Sequence, residues 1–438
     1  MPTTSLRPSL DRPIGLVQAT AMVVGIIIGA SIFVQPSEVN RHVPTIPGVL
    51  AVWLTAGILT LFGSLVCAEL SSVYPRTGGV YVFLKETISP AWGFLWGWAM
   101  FWSAHSGIIA ASSMIFARYV GFFVPLSDTG IRAVAIAGIL LLSFINYLGV
   151  RQGSLLQTLV TGGKVIAIVL LLLMVAFFGA PAAHSATPQT APASFREFVL
   201  GVSAALFAFG GWHMVTYTAG ETRDPAKTIP RALLIGSLVV TTAYVALNAA
   251  YLYLLPLSKV TSSTRVAADA AFAMAGVRGA ALISALVVLS AVGVLNGVIL
   301  AGPRTYFAMA EDGLAFRWLA RIDPRFHTPA RAIAIQAVWS CVLVATGTYR
   351  ALFTRVVYTE WLFFALMSIG LIKLRRSPGY KPVYRAWGYP WVQIAFAAAA
   401  LIVAAISIAA DPVQAATGLL LVVLGLPVYY FWISHANH

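Results

Sequence analysis

Charged side chains are scarce in this sequence. Asp, Glu, Lys and Arg make up only 10% of its 438 residues, whereas 59% are hydrophobic and the mean hydropathy is +0.86. A soluble domain carries charge on about a quarter of its residues, and a soluble protein of this length cannot hide so much apolar surface in its core. The scarcity excludes a water-soluble protein and indicates that lipid surrounds most of the chain.

Features that would indicate other classes of protein are also missing. The two cysteines, Cys67 and Cys341, lie inside apolar runs, which excludes a disulfide framework. No Gly-x-x-x-x-Gly-Lys-Ser/Thr motif occurs, which excludes an ATP-driven pump within one chain. Repeated carbonyl loops of the kind that form channel filters are absent, as are loops long enough to bury a core. We therefore expect no soluble domain, no cofactor and no metal site.

Long apolar runs occupy most of the chain. A membrane-spanning helix needs about 20 predominantly apolar residues. Twelve runs approach or exceed that length: 14–34, 47–73, 91–124, 132–149, 155–179, 197–219, 231–255, 279–303, 332–347, 352–372, 390–409 and 413–433. The sequence therefore predicts an all-α integral membrane protein with about twelve transmembrane helices.

The basic residues are distributed unevenly between these runs. The formal net charge is +14, from 28 Lys and Arg against 14 Asp and Glu, an excess that in a soluble protein would suggest a nucleic-acid partner. Here the basic residues lie between the apolar runs, 18 on the side of the N-terminus and nine on the other, with Lys164 inside a run. The positive-inside rule predicts a multi-pass protein of the cell inner membrane with both termini in the cytoplasm, and no nucleic-acid partner is expected.

Glycine clusters interrupt the first and the sixth runs. Residues 25–33 read GIIIGASIF and residues 207–212 read FAFGGW, and glycine inside a helix costs about 1 kcal/mol relative to alanine. One such cluster can simply allow close helix packing. If runs one to five and six to ten form an inverted repeat, however, the two clusters lie at corresponding positions, which indicates a transport site. Amide groups exposed after Gly29 would bind a carboxylate, and carbonyl groups freed at 207–210 would bind an ammonium. Together they describe an α-amino acid.

Four longer stretches resemble the signatures of one transporter family. They are 26–36 (IIIGASIFVQP), 67–83 (CAELSSVYPRTGGVYVF), 207–231 (FAFGGWHMVTYTAGETRDPAKTIPR) and 302–314 (GPRTYFAMAEDGL). The chain resembles the amino acid–polyamine–organocation (APC) transporter superfamily and, within it, the L-amino-acid transporter branch. The resemblance extends from Ile14 to about Tyr389.

The resemblance implies a five-plus-five inverted repeat of the leucine-transporter type, followed by two further helices. The predicted division is a cytoplasmic tail at 1–13, helices one to five at 14–179, an extracytoplasmic loop at 180–196, helices six to ten at 197–374, a cytoplasmic loop at 375–389, and helices eleven and twelve with a short cytoplasmic end at 390–438. Animal members of the family join a glycoprotein subunit through an external cysteine. The connection at 121–132 contains no cysteine, so no obligatory glycoprotein partner is expected.

The resemblance also assigns roles around the two interruptions. Gly29, Ala30 and Ser31 would bind the substrate carboxylate, the backbone of 207–210 would bind the amine, and Phe207 would be the gating aromatic over the pocket. The predicted substrate-binding residues are Ile28, Gly29, Ala30, Ser31, Phe207, Ala208, Phe209, Gly210 and His213, and the predicted gating or coupling residues are Lys164, Phe207, Ser290 and Glu360.

Two positions depart from the family pattern. The family usually reads Gly-Ser-Gly where this chain has Gly29-Ala30-Ser31, so a serine side chain enters the turn and either adds a hydroxyl donor or narrows the pocket. Many members of the branch carry Asn at the position of His213, which leaves the preferred substrate open. At Gly29 itself, a side chain is expected to block the ligand and to conflict with the backbone angles of the turn.

Ionisable residues inside apolar runs indicate function, because each costs about 2.5–3.5 kcal/mol to insert. Lys164 is either a structural cation or, as we favour, a functional one that binds the carbonyl groups of the first interruption and a hydroxyl such as that of Ser290. His213 either lines the pocket or is structural. Glu360 could pair with a substrate ammonium, carry a coupling proton, or reach water at the membrane interface, and the sequence slightly favours the interface.

These patterns together predict a sodium-independent secondary transporter of amino acids that works by alternating access, as an exchanger or a proton-coupled permease. No convergent set of catalytic side chains occurs within a run, so an enzyme is not expected. A transporter of polyamines or other organic cations is an alternative, but such a pocket should hold more buried acid than Glu360 alone, which favours zwitterionic L-amino acids. A non-transporting sensor on the same fold also stays open.

Overall fold

The computed structural model describes residues 10–179, 193–263, 265–347 and 349–436. Most of the predicted N-terminal tail, and residues 180–192 of the predicted loop at 180–196, lie outside these ranges. In the part described, the chain is almost entirely helical, apart from one isolated parallel β-bridge between Ile14 and Thr222.

The helices follow one another with short connections. The α-helices, in chain order, are α1 (Leu16–Ile27), α2 (Gln35–His42), α3 (Ile46–Val73), α4 (Val80–Thr87), α5 (Pro90–Ala99), α6 (His105–Val120), α7 (Asp128–Tyr147), α8 (Val150–Phe178), α9 (Phe195–Ala208), α10 (Pro225–Leu254), α11 (Leu257–Ser262), α12 (Val266–Glu311), α13 (Ala330–Thr346), α14 (Tyr349–Arg375), α15 (Trp391–Ala410), α16 (Pro412–Val423) and α17 (Gly425–Ala436). Segments of 3₁₀-helix occupy Ala30–Phe33, Trp212–Glu221 and Arg317–Ala320, and a π-helical turn at Met100–Ala104 joins α5 to α6.

Nine helical segments in the described ranges are long and apolar enough to cross a membrane. They are Ile46–Val73, Pro90–Val120, Asp128–Tyr147, Val150–Phe178, Phe195–Glu221, Pro225–Leu254, Ala281–Glu311, Trp391–Ala410 and Ala415–Ser434. Leu16–Ile27 and Ala330–Thr346 are shorter apolar helices. The predicted all-α membrane protein is confirmed, whereas the number of twelve spans stays a prediction. The first predicted run yields only a short helix because α1 ends at Ile27, within that run.

Helix α8 shows how the sequence directs polar groups into the bundle. Gln157, Thr161 and Lys164 are buried and recur every three or four residues, so they share one face of the helix. The opposite face is apolar and exposed, as at Leu159 and Ile166, which suits contact with lipid. Helix α8 packs against α1 and α12. The polar face therefore lies beside the first glycine cluster, at the centre of the protein.

Candidate functional site

The first interrupted helix is stabilised by a buried ammonium group. Helix α1 ends at Ile27, and the chain resumes as 3₁₀-helix only at Ala30. The Nζ of Lys164 donates hydrogen bonds to the carbonyl oxygens of Gly25 (2.9 Å) and Ile28 (2.8 Å). Carbonyl groups without partners in a membrane interior cost several kcal/mol each, and Lys164, with three donors, satisfies two that the interruption would otherwise leave exposed.

The predicted hydrogen bond between Lys164 and Ser290 is wrong. Among the described residues the hydroxyl of Ser290 is buried without a hydrogen-bond partner. The neighbour of Lys164 on α12 is instead Gly293, where an added Cβ would come within 2.3 Å of Nζ. A small residue at that position gives the lysine the room it needs to reach α1.

Gly29 is constrained by packing rather than by its backbone angles. Its φ of −108° and ψ of −168° are extended and accessible to any residue, so the expected conflict with the backbone angles of the turn is wrong. A Cβ built on Gly29 would lie 2.9 Å from Cγ2 of Val294. The space between the turn and α12 therefore excludes a side chain.

The second interruption depends on a left-handed glycine. Helix α9 ends at Ala208, and 3₁₀-helix begins at Trp212. Gly211, between them, has φ +93°, and a Cβ there would come within 2.4 Å of Ile26. Both the conformation and the close contact with α1 therefore require glycine. The Phe207 carbonyl accepts a hydrogen bond from the Gly210 amide (3.3 Å), so one of the expected ammonium acceptors already has a partner.

One tyrosine, which the sequence analysis did not identify, joins the two interruptions. The hydroxyl of Tyr244 on α10 lies 2.8 Å from the carbonyl oxygen of Ile27 and 3.1 Å from that of Ala208, so its proton is shared between them. The ring packs against Phe209 and Trp53, with centroids 4.9 and 5.7 Å away. A single tyrosine within an apolar run gives no signal of this role, because the two carbonyl groups it contacts are brought together only by the fold.

A cavity of about 570 Å³ lies between the two interruptions. Seven of the predicted site residues line it: Gly29, Ala30, Ser31, Phe207, Ala208, Gly210 and Glu360. Ile28, Phe209, His213, Lys164 and Ser290 are not among its lining residues. Ile28 and Lys164 act from behind the turn through their mutual hydrogen bond, and Phe209 packs behind the second interruption.

Glu360 and His213 lie together at the wall of this cavity. Glu360, from α14, lines the cavity with a side chain that is 14% exposed, and whether it meets water at the membrane interface stays a prediction. Its Oε1 lies 3.6 Å from Nε2 of His213, which is fully buried. The His213 ring packs against Trp96, Trp212 and Phe364, with centroids 5.5, 5.4 and 5.0 Å away. His213 therefore supports the wall from behind.

The cavity is open at one end and closed at the other. Its lining extends to Arg118 and Tyr119, at the C-terminal end of α6. Toward the opposite end, Arg304 donates to both carboxylate oxygens of Glu221 at 2.8 and 2.9 Å, and both side chains are fully buried. The amide of Ile14 donates to the Glu221 carbonyl, and that of Arg223 donates to the Ile14 carbonyl. These contacts tie the N-terminal segment, α12 and the end of the second interrupted helix together.

Two interrupted helices facing one central cavity, closed at one end only, define a helical membrane permease. The chain belongs to the amino acid permease family, whose pattern it matches over residues 14–432. It is 32% identical to the serine/threonine exchanger SteT of Bacillus subtilis over 425 residues, 96% of this chain and 97% of that protein. It is 31% identical to the large neutral amino acids transporter small subunit 2 of Mus musculus over 436 residues, 96% of this chain and 81% of that protein. It is 30% identical to the Asc-type amino acid transporter 1 of Mus musculus over 448 residues, 98% of this chain and 83% of that protein.

Proposed function

We propose that this protein carries amino acids across the inner membrane by exchange and alternating access, without sodium. The observation that carries the proposal is the cavity that lies between the two interruptions. A volume of about 570 Å³ is within the range of sites for small ligands. Inside a membrane, backbone N–H and C=O groups that lack helical hydrogen bonds are tolerated only beside a cavity or a ligand. The matching relatives are named as amino acid transporters or exchangers.

The substrate's own charges would be bound by the backbone. In the proposal, the amides that follow Gly29 bind the α-carboxylate, and the carbonyl groups of 207–210 bind the α-ammonium. Gly29, Ala30 and Ser31 line one side of the cavity, and Phe207, Ala208 and Gly210 line another. The Phe207 and Ala208 carbonyls already accept one hydrogen bond each, but a carbonyl oxygen has two lone pairs. Phe207, at the cavity wall, would cover the bound substrate as a gate.

Lys164 supports independence from sodium. In ion-coupled transporters with interrupted helices, the unwound backbone carbonyl groups coordinate the coupling ion. Here the ammonium of Lys164 occupies the carbonyl groups of Gly25 and Ile28. A sodium ion 4 Å from that ammonium would meet repulsion of about 4 kcal/mol at an effective dielectric constant of about 20. The ammonium group of Lys164 would therefore take the place of a bound sodium ion.

The closed end would be the cytoplasmic gate. With both termini in the cytoplasm, as the distribution of basic residues predicts, the buried Glu221–Arg304 pair closes the inner side and the cavity opens outward. Alternating access then requires this pair to separate while Phe207 closes over the substrate. The division into two five-helix repeats followed by two helices, with loops at 180–196 and 375–389, is part of the same proposal.

The proposed transporter works without a glycoprotein subunit. The name of the mouse relative describes it as a small subunit, and that assembly need not extend to this chain. The connection at 121–132 contains no cysteine. Cys67 is fully buried within α3, and Cys341 lies within α13. A disulfide of the animal type therefore has no partner residue in that connection.

Counterflow into proteoliposomes tests the proposed exchange. The purified protein is reconstituted, the vesicles are loaded with a mixture of the 20 unlabelled amino acids or with buffer, and uptake of each labelled amino acid is measured. We expect at least one labelled amino acid to accumulate in loaded vesicles and to enter empty vesicles several-fold more slowly. Equal uptake in both would contradict exchange, and no uptake of any amino acid would contradict the function itself.

A further inference from the structure

Glu360 is a largely enclosed acid, with its side chain 14% exposed, for which the described residues provide no permanently charged partner. The other deeply buried carboxylates of the bundle have one: Glu221 binds Arg304 through two hydrogen bonds, and Glu69 binds Arg375 and also accepts from the Tyr380 hydroxyl at 2.7 Å. Glu360 has only the imidazole of His213, at 3.6 Å, beyond hydrogen-bond distance. A carboxylate with so little contact with water is stabilised by a counter-charge or by a proton.

His213 is poorly placed to supply that charge. A charged imidazole donates from both ring nitrogens, yet in the described part of the chain neither nitrogen has a hydrogen-bond partner. The ring is enclosed by Trp96, Trp212, Tyr217 and Phe364, and it forms no hydrogen bond with any of them. The side on which a counter-charge can approach Glu360 is therefore the cavity, which its side chain lines.

Among the side chains that the structure describes, Arg118 is the other charged residue that lines the cavity. It is exposed at the C-terminal end of α6, and no ion pair joins it to Glu360 among the described residues. Exposed charges are screened by salt over about 8–10 Å. Arg118 therefore leaves the charge of Glu360 available to a ligand.

We propose that Glu360 is a subsite for a second positive charge, so that the protein prefers amino acids with a cationic side chain, of the lysine, ornithine and arginine type. The inference rests on the proposed function, in which the backbone at the two interruptions already binds the α-carboxylate and α-ammonium. The substrate side chain then extends toward the wall formed by α14. There Trp361 and Phe364 line the cavity beside Glu360, so that aromatic rings contact the methylene stem and the carboxylate binds the head group.

One acid in the cavity can be enough to select a substrate with a cationic side chain. The sequence alone suggested that one acid was too few for a cation-selective pocket. Because the backbone can bind the charges common to all amino acids, a single unneutralised carboxylate is enough to bind one additional positive charge. The polyamine alternative is disfavoured on the same ground, since a polyamine has no carboxylate for the turn at Gly29.

Matched pairs of substrates test the subsite without any mutation. Lysine and norleucine share a four-carbon side chain and differ in the terminal ammonium, as ornithine and norvaline do with three carbons. Half-inhibition concentrations for these four compounds are measured in the counterflow assay. A hydrogen-bonded charge pair corresponds to about tenfold or more in affinity, so we expect lysine to compete at least tenfold better than norleucine. Equal competition by the two would overturn the proposal.

Substitutions of Glu360 test whether its carboxylate causes the preference for lysine over norleucine. Glu360→Gln should bring the lysine-to-norleucine ratio close to one, Glu360→Asp should retain part of it, and Glu38→Gln, in an exposed pair with Arg41 on α2, should leave it unchanged. If Glu360→Gln alters the response to pH but keeps the ratio, Glu360 carries a proton and the subsite is disproved. Exchange of neutral amino acids that lysine does not inhibit would overturn this inference alone, whereas no exchange of any amino acid would overturn the proposed function.

Discussion

The ammonium nitrogen of Lys164 lies 2.8 Å from the carbonyl oxygen of Ile28, the residue that follows the end of α1. A second bond, to Gly25, places the same nitrogen on the last turn of that helix. The side chain is fully buried, with no carboxylate partner in the described ion pairs. Lys164 therefore pairs with backbone carbonyl groups of the interruption instead of a carboxylate. It is part of the site although it does not line the cavity.

Replacing Lys164 should slow transport. In Lys164→Ala the carbonyl groups of Gly25 and Ile28 lose their donor, and an unsatisfied buried polar group costs about 1–3 kcal/mol. We expect turnover in reconstituted vesicles to fall at least tenfold while the protein still inserts. The matched control is Lys259→Ala, at an exposed position in the last turn of α11, which should behave like the unmodified protein. Unchanged turnover in Lys164→Ala would make the lysine dispensable.

Removing the hydroxyl of Tyr244 should weaken substrate binding. Tyr244→Phe keeps the ring contacts but removes the link between Ile27 and Ala208, a hydrogen bond worth about 0.5–1.5 kcal/mol. Affinity, measured by substrate-dependent thermal stabilisation in detergent, should fall by up to about tenfold. Tyr251→Phe is the control, because that hydroxyl is buried on the same helix without a hydrogen-bond partner among the described residues. Equal effects of the two substitutions would show that the link between the interruptions does not matter.

A side chain at Gly29 should abolish binding. Gly29→Val would force atoms into the space next to Val294, since even a Cβ lies 2.9 Å from that side chain, and would displace the amides that follow. Gly162→Val, on α8, is the control, because nothing lies within 4 Å of its added Cβ. Both variants should remain monodisperse in detergent, and only the first should lose amino-acid binding. Normal affinity in Gly29→Val would remove the turn from the site.

Phe207 should affect transport more than binding. It lines the cavity beside the second interruption, and a gate that covers the substrate excludes water during the change between states. Phe207→Ala is therefore expected to reduce exchange at least tenfold with a smaller loss of affinity. Phe195→Ala, exposed at the start of the same helix, serves as the control. If exchange and affinity both stay unchanged in Phe207→Ala, the residue only fills space.

The sequence predicted the parts of the site that follow from local composition. The two glycine clusters mark where α1 and α9 end, because glycine weakens a helix wherever it occurs. Lys164 was recognisable because a charge in an apolar run has a high cost. The helical membrane architecture followed from the apolar runs in the same way.

The sequence did not predict the contacts between residues that lie far apart along the chain. Glu221 and Arg304 are 83 residues apart, and Tyr244 is 217 residues from Ile27, so no local pattern relates them. The position of Glu360 along its helix could be read from the sequence, whereas its place at the cavity wall beside His213 could not. The packing reason for glycine at position 29 likewise depends on Val294, on another helix.

Dependence on sodium is the most direct test of the central claim, that this is an amino-acid carrier whose interrupted first helix is held by Lys164 instead of a bound ion. Amino-acid exchange is measured in proteoliposomes with either sodium or choline as the only monovalent cation on both sides. Lys164 occupies the carbonyl groups at the interruption, so the account predicts equal initial rates in the two salts. A several-fold faster rate in sodium would contradict it.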